Sequence, residues 1–143
     1  MSQPTLTEEA RGFGWLLNGF VERTAGVTDA VAVSSDGLLM AMSSSLDRAS
    51  AEQLSAIIAG MVSLGNGAAS CFGYDGLEQV IVTMGGGFLF VSSISDGSCL
   101  GVVASRGCDI GLVGYQTTLL VERAGSVLTP DLVTVLKQEM LVS

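Results

Sequence analysis

The sequence contains no histidine and one lysine, Lys137, beside five scattered arginines. Without histidine there is no Ser-His-Asp or Cys-His catalysis, no usual zinc ligand set and no general base of the commonest kind. Six cations stand against 14 carboxylates, for a formal net charge of −8. No basic stripe is therefore available to displace counterions from a phosphate backbone, and nucleic acid is not an expected partner. Cys71, Cys99 and Cys108 show no CxxC spacing. An odd count without a signal peptide reads as reduced thiols, used as small core hydrophobes rather than in redox chemistry or catalysis. No run of about 18 consecutive apolar residues occurs, and the opening stretch MSQPTLTEEARG lacks both parts of a secretory signal. Direct membrane insertion is thus not expected, and the chain reads as soluble and cytoplasmic.

What the chain does have is apolar surface. Its 143 residues are 48% hydrophobic and 14% charged, with a mean hydropathy of +0.56. That length suits one domain, residues 1–143, able to bury a core without disulfide or metal support. So greasy a composition in a soluble chain points to a surface covered by a partner.

Leu6, Ala10, Phe13, Leu17 and Phe20 recur at alternating steps of four and three, which predicts a helix over residues 5–24, started by a Thr5/Glu8 capping box. Ala30 to Ser34 and Leu38 to Met42 flank Asp36-Gly37, a hairpin signal. Ser50 and Gln53 suggest a second capping box, opening a helix whose core stripe is Leu54, Ile57, Ile58, Met61, Gly65, Ala68 and Phe72. Three strand-like runs follow, Val80 to Met84, Phe88 to Ile94 and Cys99 to Ala104. A third helix begins near Asp109, with Ile110, Val113, Thr117, Leu120 and Ala124 on one side. Thr129 as N-cap and Pro130 in the first helical position predict a short fourth helix.

The order helix, hairpin, helix, meander, helix, helix argues for an antiparallel α+β sheet and against alternating βαβ units. The runs VIV, FLFV and LGVVA are apolar at every position, so helices should cover both faces of that sheet.

Gly85, Gly86 and Gly87 are the one cluster that could cradle a phosphate. A P-loop needs Lys and Ser/Thr directly afterwards, at a helix N-terminus; here FLFV, a strand, follows. The glycines therefore read as a tight hairpin turn needing positive φ. Asp29, Asp36, Asp47, Asp75 and Asp96 all fall in expected turns or loops, where Asp serves local backbone hydrogen bonding. No catalytic residue, cofactor site or metal site is expected, and the chain is not read as an enzyme.

One feature is less readily structural. Opposite the expected core stripe, the second helix carries Glu52, Ala56, Ala59 and Ser63, with Gly60 and Gly67 beside them. Glycine inside a helix costs about 1 kcal/mol relative to alanine, so this face reads either as flattened for close approach by another molecule or as merely small and solvated.

Three segments carry a family resemblance: GFGWLLNGFVERTAGVTDAVAVSSDGLLMA, AEQLSAIIAGMVSLGNGAA and DIGLVGYQTTLLVERAGSVLTPDL. Together they span nearly the whole chain, and their patterns of spacing resemble the Roadblock/dynein light-chain family, in its bacterial MglB-like branch, and more narrowly the small Roadblock proteins of actinobacterial conservon operons. The hairpin VTDAVAVSSDGLLMA is the most specific piece. The resemblance implies a Roadblock/profilin-like fold of order α-β-β-α-β-β-β-α, a five-stranded antiparallel sheet with the second helix on one face and the first and third on the other. The helix from Thr129 departs from the minimal pattern.

The resemblance further implies a homodimer, with the strand Val80, Ile81, Val82, Thr83 and Met84 pairing edge to edge with its copy and the two second helices side by side. Family members serve as platforms for small Ras-like GTPases, and conservon partners would include a sensor-kinase-like protein. The expected role is a noncatalytic cytoplasmic scaffold that regulates a GTPase in signalling and reaches the membrane only through partners. Arg48, Glu52, Ala56, Ala59 and Ser63 are its expected partner-binding residues. The alternative is a small-molecule sensor module of PAS or GAF type, which would keep a pocket with convergent polar groups.

Overall fold

A computed structural model of the chain describes residues 5–142. The elements are α1 (Leu6–Arg23), β1 (Val27–Val33), β2 (Leu39–Met42), α2 (Arg48–Cys71), β3 (Gln79–Met84), β4 (Gly87–Ser93), β5 (Cys99–Ser105), α3 (Ile110–Val127) and α4 (Pro130–Val142). All strand pairings are antiparallel, in the order β2-β1-β5-β4-β3. The expected α+β sheet is present, with β3 at one edge and β2 at the other.

Side-chain alternation along the strands sorts the core into two layers. Ala30, Ala32, Phe88, Phe90, Leu100, Val102 and Ala104 face α1, α3 and the first part of α4. Val31, Val33, Leu89, Val91 and Cys99 face α2. The helices on the first side dock on large side chains. Phe13, Leu17 and Phe20 of α1 are buried, as are Val113, Thr117, Leu120 and Ala124 of α3, while Leu6 and Ile110, expected on those stripes, are exposed at the helix starts.

The helix caps follow elementary hydrogen bonding. The Glu8 amide donates to the Thr5 hydroxyl at 3.1 Å, and the Thr5 amide donates back to the Glu8 carboxylate at 3.3 Å. The Leu132 amide donates to the Thr129 hydroxyl at 3.2 Å. At α2 the expected Ser50/Gln53 box is displaced: the cap is Asp47, whose carboxylate accepts from the Ser50 amide at 2.7 Å and the Ser50 hydroxyl at 3.0 Å. A carboxylate satisfies the free amides of the first turn better than a hydroxyl does, so the helix starts at Arg48.

The glycine cluster does form the β3–β4 hairpin, with Met84 paired to Gly87 across Gly85-Gly86. The expected reason is overturned, because none of the three has positive φ. Gly87 is glycine because a Cβ there would overlap the Ala104 carbonyl of β5. Among the hairpin turns, positive φ occurs instead at Gly37 and Gly97, in two matching Asp-Gly turns at the same end of the sheet. In each, the residue three before the glycine pairs with the residue after it: Ser34 with Leu38, and Ile94 with Ser98.

Helix α4 acquires a place in the fold that its sequence did not give it. Leu132 and Leu136 are buried in the α1 layer, whereas Met140, one turn beyond Leu136, packs with the α2 layer. The helix therefore passes across the β2 edge, and Lys137 ties it to the β1–β2 turn through a 3.2 Å ion pair with Asp36.

Candidate interaction surfaces

The α2 helix sits low on the sheet because one strand position under it has no side chain. Gly101 lies between Val31 and Val91 in the register, and a Cβ there would collide with Ile58. The stripe turned to the sheet is accordingly small: Ala51, Ser55 and Ile58 are buried, and Val62 packs beside them. Leu54 and Met61 are half-buried on its margin.

This rotates α2 by roughly 70° from the expected orientation and corrects the assignment of Ile57, Ala68 and Phe72 to the core. Ile57 is 46% exposed, Leu64 78% and Phe72 72%, with the Phe72 ring stacked on the exposed Tyr74 at 5.6 Å. The error has a physical source, since hydrophobicity selects large side chains whereas close approach selects small ones. The legible signal was Ala51, Ser55 and Ile58 at steps of four and three, together with Gly101 in an apolar strand.

Each fully buried Leu, Ile or Phe contributes about 2 kcal/mol. Helix α1 has three such anchors and α2 has one, Ile58. This 24-residue helix, long and apolar enough by composition to cross a membrane, thus leaves Ile57, Leu64 and Phe72 exposed.

The expected partner-binding residues lie on the other flank. Glu52, Ala56 and Ser63 are exposed. Arg48 pairs with Glu52 at 3.9 Å and brings its guanidinium 3.9 Å from the Met140 sulfur of α4. Ala59 is half-buried against the β1–β2 turn, where its Cβ would stand 3.3 Å from one built on Gly37. With Ser63 and Asn66 it lines a cleft of 310 Å³ between α2 and the two Asp-Gly turns. The structure brings these residues onto one flank, with Ala59 at its inner margin rather than its centre.

On β3, Val80 and Val82 are half-buried toward α2. Ile81, Thr83 and Met84 are exposed, and among the described residues the strand pairs only with β4.

Of the cysteines, only Cys99 is a fully buried core residue. Burial first, and Asp96 second, push its thiol up to about 11, so it is inert as a nucleophile. Cys108 is half-buried, and Cys71, at the end of α2, is exposed, against the expectation that all three serve the core.

Residues 13–104 match the Roadblock/LC7 domain family. Comparison with curated proteins gives no match. Among solved structures, the Roadblock/LC7 domain from Streptomyces avermitilis is 38% identical over 78% of this chain and 92% of its own, with a TM-score of 0.73. Myxococcus xanthus MglB is 15% identical over 81% and 94%, with a TM-score of 0.75. Acanthamoeba castellanii profilin IA is 16% identical over 80% and 97%, with a TM-score of 0.52. The last two likenesses are of fold, and they place the sheet and its helices in the profilin-like class.

Proposed function

Because the chain belongs to the Roadblock/LC7 domain family, we propose that it works without catalysis, as a homodimeric scaffold that binds a small Ras-like GTPase and tunes its nucleotide state or location. The observation that carries this reading is the surface made by α2 and β3. An open sheet edge offers unpaired N–H and C=O groups to a second chain, and Ile57 and Leu64 lie exposed on α2. A second copy paired along β3, with its α2 alongside, would cover both.

The opposite flank of α2, at Arg48, Glu52, Ala56 and Ser63 with Ala59 at its margin, would then face the GTPase. Two copies would offer a platform on the scale of a standard interface, about 800 Å² per partner. The PAS or GAF alternative finds no support in the comparisons, which give Roadblock and profilin-like proteins among their matches.

The test is retention of a P-loop GTPase from native extract on the immobilised protein, in GTP and in GDP, against an Ala56→Arg variant. Ala56 is exposed, so folding should survive while retention falls at least tenfold, about 1.4 kcal/mol. Equal retention by a folded, dimeric variant removes this flank as the platform, and the absence of any GTPase from the eluate in both nucleotides removes the reading.

A further inference from the structure

On the face of the sheet away from α2, an open cleft of 740 Å³ runs between α1 and α3 and reaches the α3–α4 connection at Thr129. Phe13 forms part of its buried floor, and Leu16 and Val127 stand on its two walls. Trp15, the only tryptophan in the chain, lines it while 68% exposed. At Gly12, on the same wall, nothing stands within 4 Å of where a Cβ would be.

The charge of the cleft runs against that of the molecule. Arg23 and Arg123, two of only six cations in a chain of net charge −8, both line it, against one carboxylate, Glu9. Glu22 and Glu122, their neighbours in sequence, do not. An acidic segment is repelled by the molecule at large and attracted here.

From this we infer that the α1–α3 cleft is a docking groove for an amphipathic helix of another protein, with apolar side chains seated along Leu16, Trp15 and Val127 and its acidic end against Arg23 and Arg123. Both walls are helical, so no sheet edge offers main-chain pairing, and recognition must run through side chains. The cleft is open along its length, whereas a small-molecule site encloses most of its ligand. The inference stands apart from the GTPase reading, which concerns the other face of the sheet.

The emission of Trp15 reports the groove directly. The probe is a synthetic helix about as long as α1, with leucines at i, i+3, i+4 and i+7 and glutamates clustered at one end. Titration into wild-type protein should give a saturable blue shift as the indole loses water. The double variant Arg23→Glu, Arg123→Glu should bind it at least tenfold more weakly, and should prefer the same peptide carrying lysines in place of the glutamates. Both arginines are exposed, so circular dichroism of the variant should be unchanged.

No saturable shift, or a shift indifferent to the sign of charge on either partner, overturns the inference. So does a Trp15→Ala variant that is folded but altered in sedimentation mass, because the groove would then be occupied by a second copy of this chain.

Discussion

Thr117 is the one buried side-chain oxygen among the described residues without a hydrogen-bond partner. It is fully buried on α3, inside the apolar layer that holds Phe90 and Val113. An unpartnered buried hydroxyl costs about 1–3 kcal/mol, and valine has nearly its shape. Thr117→Val should therefore raise the urea midpoint, by about 1 kcal/mol in stability with an unchanged denaturant slope. A destabilised variant would mean that the hydroxyl has a partner after all.

Asp36 makes a second residue-scale case. Its carboxyl is held below the ordinary value of 3.8, first by the Ser34 hydroxyl and then by Lys137. A depressed folded value means that the stabilisation is complete above the unfolded value and is lost as pH falls through the folded one. The pair is exposed, so its worth is small and salt-sensitive. Acidification below about pH 3.8 should therefore free the end of α4 at Lys137 first. Hydrogen exchange of α4 amides should rise there, and Asp36→Asn should bring that rise to neutral pH.

Among the described elements, β3 is an edge strand paired with β4, and the proposed dimer uses its open side. Ile81→Pro removes an amide donor from this strand. The variant should sediment at a lower mass than the wild type, which is expected at twice the monomer mass at micromolar concentration. A wild-type monomer under those conditions contradicts the β3 interface. The type of every element was legible in the sequence from local signals: helical stripes at Phe13, Leu17 and Phe20 for α1 and Val113, Leu120 and Ala124 for α3, apolar runs for the later strands, Thr129 and Pro130 for α4, and Asp-Gly for two of the hairpin turns. The orientation of α2 was not, because it depends on Gly101 and Ile58, 43 positions apart in sequence and in contact only in the fold. The Asp47 cap was misplaced for a local reason: Ser50 resembles a cap on its own, and only the geometry shows it serving as a donor to Asp47.

In the whole molecule, the order of the sheet and the assignment of helices to its faces came from family likeness more than from any pattern in the chain. Strand runs that are apolar at every position say that both faces are covered but not by which helix. The partner residues on α2 were legible as a group of small side chains, although their distance from the core was not, and the α1–α3 cleft left no mark in the sequence beyond an unplaced tryptophan. What α4 does at the β2 edge bears on how far assembly can go. A sheet with both margins open adds copies without limit, as fibres do. Here one margin is a strand of only four residues, Leu39–Met42, with α4 laid across it. If β3 pairs with a second copy as proposed, growth should end after that single addition, and sedimentation mass should level off at two chains however high the concentration is raised. In that sense α4 is a chain terminator for the sheet.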